Sequence, residues 1–363
     1  MRISIKNFKS IEHVDIELGR LTILTGPPSA GKSNILEAIA LLGYLFRLTL
    51  KDLYTSPQVI RPSLSKVLRF SQVEDLLFYR EKRKGVYVGA TIGNERFSIT
   101  IRFGERGIGV KVNNDLNLAN ALRTLLSGQA LQTWPSITKI PPLDVRLYGY
   151  DRYGLTQDLQ KTLDSQPQYI PKIPLSEDAN NIVAMLNEYH RIYLMINSWL
   201  EELGMKISVG MLRNGRPTIL DHYKEVPPRL LSDTLGRVLY YVTALYTCME
   251  YAQIKSMKDK LVILLEEPEA HVFPYSFQLL VDILKEATQS FYVVLTTHNG
   301  SFISHLWNKL KDVKTYYVFR EQKTGATVVT ELDIEKLAKD LVTGNELLLL
   351  TPKEVTRKYI KQS

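Results

Sequence analysis

The sequence predicts an α/β fold organised around a phosphate loop (P-loop), and three stretches carry that expectation. Gly26-Pro27-Pro28-Ser29-Ala30-Gly31-Lys32-Ser33-Asn34 reads G-x-x-x-x-G-K-S, a loop that cradles nucleotide phosphates. Leu261–Leu265 and Phe291–Thr297 are apolar runs with the composition of strands buried on both faces.

In chain order, Ile3, Ile5 and Phe8, then Val14, Ile16 and Leu18, alternate as strands do and lead into a third strand, Leu21–Thr25. A helix is expected from Asn34 to about Leu50, with Ile35–Leu42 as good helix formers. Strand, loop and helix are the setting the motif needs, because N–H groups of the loop and first helical turn converge on the phosphates. There Lys32 reaches the β- and γ-phosphates and the Ser33 hydroxyl ligates Mg²⁺. Residues 55–75 are mixed, broken by Pro57 and Pro62. Strand-like runs over 85–112 predict an antiparallel sheet beside the nucleotide, then a helix over 116–128 and a strand at Val145–Tyr148.

Polar, proline-punctuated residues 151–175 form the clearest boundary. Beyond it the pattern predicts one long helix from Ser176 through Leu203, closed by Gly204. A hairpin around Asn214-Gly215 follows, then a second long helix from Asp233 to about Ser256 after Pro227-Pro228. The last third alternates strand and helix: Leu261–Leu265, Tyr275–Thr288, Phe291–Thr297 and Ser301–Leu310. A final strand pair, Thr315–Phe319 and Ala326–Thr330, precedes a helix ending in Leu347–Leu350.

The Leu261–Leu265 strand runs into Glu266-Glu267-Pro268-Glu269-Ala270-His271. An acidic pair at a strand end is often only a solvated turn. Following a phosphate loop, it reads as the second nucleotide motif, delivered to the carboxyl end of a strand where sites in open α/β sheets lie. Glu266 then holds Mg²⁺ through water, and Glu267 orients or deprotonates the attacking water. His298 ends the next buried strand, within reach of the γ-phosphate or the catalytic carboxylate. His271 has the weaker claim. A metal site on His298 and His305 lacks a carboxylate or cysteine at suitable spacing.

Bulk properties set the frame. With 363 residues, 45% of them hydrophobic and 23% charged, the chain has room for a sizeable core. The net charge of +8 and pI near 9.2 suit nucleic acid as a partner, or reflect a generally basic surface. The lone Cys248 excludes an internal disulfide and any cysteine-based zinc site, and reads as a core thiol. No signal pattern, membrane-length apolar run, repeat or long heptad stretch stands out, so a cytoplasmic, soluble protein without a coiled-coil arm is expected.

Gly26–Asn34, Leu264–His271 and Thr296–His298, in this order and so widely spaced, resemble the ABC-type ATPase heads of the RecF/SMC/OLD branch. Ile3–Ser10 is similar to the branch's first strand and Leu36-Glu-Ala-Ile39 to its first helix; the Glu-Glu-Pro-Glu-Ala-His form points to the OLD side. The resemblance spans the chain and implies two lobes, a mixed-sheet nucleotide lobe (1–150 and 258–363) and a helical signature lobe (151–257). It also implies two ATP molecules with Mg²⁺ sandwiched between two copies, each contacted in trans by the partner's signature motif.

The signature match is Leu231-Ser232-Asp233-Thr234-Leu235-Gly236-Arg237, against a branch pattern of Leu-Ser-Asp-Gly-Thr-Leu-Arg. Ser232 as N-cap directs free N–H groups at a γ-phosphate. Thr234 stands where glycine is usual, which obstructs close backbone approach, so slow hydrolysis is expected. Pro28 and Ser29 replace the usual Asn and Gly in the phosphate loop. The glutamine of the lobe junction is not evident; Tyr150-Asp151-Arg152 stands there, with Asp151 either a metal-sensing side chain or part of a polar loop. Lys9 is a further basic candidate for phosphate.

The resemblance implies an ATPase whose dimerisation serves DNA repair, maintenance or defence, or alternatively a nucleotide-gated module acting with a separate effector subunit. The 65 residues after His298 are expected to hold no nuclease domain, and no acceptor-binding lid suggests a kinase.

Overall fold

The computed structural model describes all residues except 50–62, 105–106, 114, 138–140, 164–173, 213–214, 227–230, 341–343 and 361–363. Expectations on Leu50, Pro57, Pro62, Pro167, Pro171, Asn214 and Pro227-Pro228 lie outside the described residues.

Strands β1 (Arg2–Phe8) and β2 (Ile11–Glu17) pair with Ile3 opposite Ile16 and Ile5 opposite Val14, so one face is apolar. Strand β3 (Leu21–Thr25) is buried at every residue. Helix α1 (Lys32–Tyr44) begins two residues earlier than expected, inside the phosphate loop, and tightens into a 3₁₀ turn over Leu45–Thr49. After α2 (Leu64–Leu68), strands β4 (Val86–Ile92), β5 (Glu95–Gly104) and β6 (Gly107–Val112) join the first two in an antiparallel sheet of order β2-β1-β4-β5-β6. Helix α3 (Leu116–Leu126) is capped by the Asp115 carboxylate, which accepts from the Asn117 and Leu118 N–H groups at 3.0 Å. Strand β7 (Asp144–Tyr148) follows.

The middle third differs most from expectation. The supposed boundary contains α4 (Leu155–Leu163), whose Leu155, Leu159 and Leu163 bury one stripe of an otherwise polar helix. The single helix expected over 176–203 is two, α5 (Ile182–Glu188) and α6 (Arg191–Glu202). Tyr189 leaves helical geometry at φ −114°, ψ 74°, and its ring packs on Tyr246 with centroids 5.7 Å apart. Tertiary packing thus breaks a segment that propensity alone would continue. A three-stranded sheet of β8 (Ile207–Met211), β9 (Pro217–Asp221) and β10 (Lys224–Val226) adds one strand to the expected hairpin. Helix α7 (Asp233–Ile254) runs as expected.

Strand β11 (Leu261–Glu266), α8 (Gln278–Ser290), β12 (Tyr292–Thr296), α9 (Gly300–Lys309), β13 (Val313–Arg320) and β14 (Thr327–Glu331) complete the main sheet. Its order is β14-β13-β3-β12-β11-β7, parallel throughout except for β14. Three short helices, α10 (Ile334–Asp340), α11 (Gly344–Leu349) and α12 (Pro352–Lys358), replace the one expected at the end.

The main sheet separates two cores. Leu24, Val262, Leu264 and Val294 face α1 and the antiparallel sheet, while Ile23, Ile263, Leu265 and Leu295 face α4–α9. Strand alternation therefore fixes which residues are buried, and leaves the carboxyl ends of β3, β11 and β12 together at one edge. Cys248 is buried, and burial pushes its thiol up to about 12, as a core thiol requires. Among the described residues no helix is long and apolar enough to cross a membrane.

Candidate nucleotide site

The phosphate loop leaves β3 and is pressed against the β13–β14 hairpin. A Cβ on Gly26 (φ +141°) would lie 2.0 Å from the Val318 carbonyl oxygen, and one on Gly31 (φ +106°) 2.2 Å from Thr327 Oγ1. Only glycine fits either position. Thr327 Oγ1 donates to the Ala30 carbonyl at 2.9 Å, and Arg320 Nε to the Ser29 carbonyl at 3.1 Å. Asn34 Nδ2 donates to Ser10 Oγ at 2.6 Å, so Asn34 braces the loop. Pro27 is half-buried, while Pro28 and Ser29 stand exposed at its crest.

Lys32 Nζ donates to the Gly26 and Pro27 carbonyls at 2.9 Å each, folding its ammonium over the loop. Burial pushes its pKa down to about 8, against the opposing pull of the Glu267 carboxylate.

Glu266 ends β11 and Glu267 begins the following turn at φ 47°. The Glu267 N–H donates to the Thr296 carbonyl at 3.1 Å, fixing that turn to the end of β12. His298 Nε2 lies 3.5 Å from Glu267 Oε1. Burial, and then Lys32, push His298 down to about 4, so the imidazole is neutral at pH 7. Burial and the neighbouring Glu266 raise the Glu267 carboxyl above its ordinary value. Lys32, Glu267 and His298, drawn from opposite ends of the chain, thus share one electrostatic environment.

Glu266 is held differently. Burial works to raise its pKa, but Arg152 more than offsets this and the group lies below the ordinary carboxylate value. Arg152 Nε donates to Glu266 Oε2 at 2.8 Å and Nη2 to Oε1 at 3.0 Å, and the Ser33 hydroxyl also hydrogen-bonds Glu266. Hydroxyl and carboxylate are the hard oxygen donors Mg²⁺ takes alongside phosphates and waters. The donor set fits Mg²⁺, although a guanidinium shares the carboxylate. Among the described residues, no group of three or more His, Cys, Asp or Glu is placed to hold a metal by protein ligands alone.

Other expected residues sit elsewhere. Asp151 pairs with Arg237: its Oδ1 accepts from Arg237 Nη2 at 2.6 Å and its side chain is 68% exposed, and its charge helps raise the Glu267 carboxyl. The residue of that loop on Glu266 is the next one, Arg152. Lys9 pairs with Glu37 and donates to the Leu68 and Arg69 carbonyls, so it is committed to a carboxylate rather than the phosphate loop. Ser232 caps α7, its Oγ accepting from the Leu235 N–H at 3.2 Å. Thr234 Oγ1 donates to the His271 carbonyl at 2.8 Å, tying α7 to the turn after β11. Sequence reading passed over Arg152 and Glu37. The signal for Glu37 was present: it lies four residues after Ser33, on the same helix face, as an acid inside an apolar run.

Fold and phosphate loop together are those of a P-loop α/β protein similar to ABC-type ATPase heads. Residues 21–304 match the family described as "AAA domain, putative AbiEii toxin, Type IV TA system", and the chain belongs to that family. The fold is similar to a solved structure of an Smc head bound to the C-winged helix domain of ScpA, with TM-score 0.54 and 17% identity, covering 93% of this chain and 98% of that one. An Smc head domain with an extended coiled coil, bound to the C-terminal domain of ScpA derived from Pyrococcus furiosus, gives TM-score 0.51 and 14% identity over 93% and 97% of the two chains. A stretch of 41 residues is 49% identical to the OLD nuclease of Thermus scotoductus, spanning 11% of this chain and 8% of that relative.

Proposed function

We propose that this chain binds ATP with Mg²⁺ and hydrolyses it slowly, as a homodimer that sandwiches two ATP molecules, in service of DNA maintenance or defence. The observation that carries the reading is the convergence of Lys32, Ser33, Glu266, Glu267 and His298 at the carboxyl ends of adjacent parallel strands. Loop N–H groups and Lys32 bind the phosphates, and Ser33 with Glu266 holds the metal. When bound, Mg²⁺ neutralises charge on the β- and γ-phosphates. Glu267, its pKa raised by burial and by Glu266, accepts a proton from the attacking water, and neutral His298 steadies that carboxylate or the γ-phosphate. Residues 1–150 with 258–363 then act as the nucleotide lobe and 151–257 as the signature lobe, presenting Ser232 to the partner's nucleotide.

Nucleic acid is the proposed partner class. The outward face of the antiparallel sheet carries exposed Lys6, Arg96, Arg102 and Lys111 beside half-buried Tyr87. Lys6, Tyr87, Arg96 and Arg102 line one shallow groove there. The family's description favours defence over repair as the setting.

The test is phosphate release by the purified chain with and without DNA, beside the light-scattering mass of Glu267→Gln with and without ATP. DNA-responsive turnover and an ATP-dependent dimer support the reading. A monomer that binds ATP without turnover supports a second reading, a nucleotide-gated module with a separate effector subunit, which the commitment of Thr234 to the His271 carbonyl favours. A chain that binds no ATP overturns both.

A further inference from the structure

Glu266, hydrogen-bonded by Ser33, and Glu37, four residues after Ser33 on α1, are shared among three cations. Arg152 holds both oxygens of Glu266, and its Nη1 donates to Glu37 Oε1 at 2.9 Å and to the Val67 carbonyl at 3.0 Å. The Arg152 and Glu37 side chains are fully buried. Glu37 has two further partners: Lys9, and Arg69, whose Nε donates at 2.6 Å. Arg69 Nη1 also comes within 4.0 Å of Glu266. The cluster is therefore already one positive charge in excess.

That excess charge governs how the cluster responds to a dication. Placing Mg²⁺ on Glu266 beside a guanidinium on the same carboxylate sets like charges together away from water, where their repulsion is weakly screened. Moving Arg152 off Glu266 relieves that repulsion, and its guanidinium keeps Glu37 Oε1 and the Val67 carbonyl as partners. We infer that Arg152 is a latch on the metal carboxylate: its fork holds both oxygens of Glu266, and Mg²⁺–ATP binds by displacing it. The inference rests on the proposed ATP site and adds to it a positioning residue that sets the metal dependence of binding.

The latch is joined to the signature helix by its neighbours. Asp151 is bonded to Arg237, which also donates to Asp233 Oδ2 at 2.9 Å. The Tyr150 ring lies under the Arg237 guanidinium, 4.6 Å from its centroid. One tight turn carries all three residues, with the Tyr153, Gly154 and Leu155 N–H groups donating to the Gly149, Asp151 and Tyr150 carbonyls. Displacement of Arg152 in so wound a turn shifts Asp151, and with it the first turn of α7.

The test measures ATP affinity of the full chain by calorimetry, with Mg²⁺ and with excess chelator, for wild type, Arg152→Gln and Arg152→Lys. The expected result is that Mg²⁺ tightens ATP binding about tenfold more in Arg152→Gln than in wild type, the least that loss of a competing charge-assisted pair should yield. Arg152→Lys keeps a charge beside Glu37 but loses the fork, so it shifts the same way by less and answers the question if the glutamine variant does not fold. An equal Mg²⁺ factor in wild type and the folded variant overturns the latch, since a merely structural arginine would not change that ratio. Failure of wild type to bind ATP under either condition overturns the nucleotide site itself, and the latch with it. In the same samples, Mg²⁺–ATP should alter hydrogen exchange over 232–237 in wild type and not in Asp151→Ala. A response that persists in Asp151→Ala overturns the coupling to α7.

Discussion

His298 Nε2 faces Glu267 Oε1 across 3.5 Å, the two residues standing just beyond the ends of two paired parallel strands. In the proposed mechanism a neutral imidazole there would orient the carboxylate without neutralising it, leaving it free to take a proton. Glu267→Gln is expected to lower the rate of phosphate release by at least about 100-fold while ATP binding persists. His298→Ala should lower it less, because it removes orientation and not the base. Single-turnover phosphate release with radiolabelled ATP checks both, and loss of ATP binding in Glu267→Gln would contradict the assignment.

Lys32 gives a pH dependence with a definite sign. Its pKa is pushed down to about 8 in the free site, and a bound triphosphate favours the ammonium. Affinity is therefore full below pH 8 and falls as pH rises above it, by up to about tenfold per pH unit, with a proton taken up on binding. Calorimetric titrations at pH 7 and pH 9, in buffers of different ionisation enthalpy, measure both quantities. Lys32→Ala should abolish the pH dependence together with most of the binding.

The basic sheet face predicts a salt signature. Changing Arg96, Arg102 and Lys111 to alanine removes three exposed cations without touching the core. For every one of them that neutralises a DNA phosphate, the slope of log affinity against log salt should become shallower by about one. Anisotropy with a duplex oligonucleotide across a salt series checks this, and an unchanged slope would place any DNA contact elsewhere.

The motifs were legible because each is local and rigidly placed. G-x-x-x-x-G-K-S needs only its flanking strand and helix, and Glu266 and His298 inherit their positions from buried strands that composition already marks. What escaped was set by contacts between distant segments. The break at Tyr189 depends on Tyr246, and the Leu155, Leu159 and Leu163 stripe was hidden in polar surroundings. Of the adjacent Asp151 and Arg152, it is Arg152 whose side chain meets Glu266, while Asp151 meets Arg237. No periodicity in an irregular turn encodes that direction.

Glu269 predicts a stability effect that changes sharply with pH. It is buried, Thr297 Oγ1 donates to its Oε1, and its Oε2 has no hydrogen-bond partner among the described residues. Burial pushes its pKa up from 4.5 to about 7, so the folded chain binds more protons than the unfolded one between those values. The associated stability is fully present below pH 4.5 and lost as pH rises through 7. Glu269→Gln carries no such loss, so relative to wild type it should gain on the order of 3 kcal/mol between pH 4.5 and pH 8. Denaturant melts of both proteins at the two pH values measure the difference.

Gly236 explains the displaced glycine of the signature segment. A Cβ there would lie 2.6 Å from the Tyr150 hydroxyl, so this glycine admits the Tyr150 side chain against α7 rather than a phosphate against the backbone. Thr234, at the position usually held by glycine, is meanwhile bonded to the His271 carbonyl. Gly236→Ala should therefore destabilise the fold by about 1–3 kcal/mol through overpacking, with little direct effect on the nucleotide. Thr234→Gly should act the other way round: a smaller stability loss, and a tighter ATP-dependent dimer because the first turn of α7 is freed to approach a partner's phosphate. Thermal melts and sedimentation of each variant in a Glu267→Gln background separate the two. A Thr234→Gly dimer no tighter than its parent would mean that the cis bond to His271 does not limit the approach.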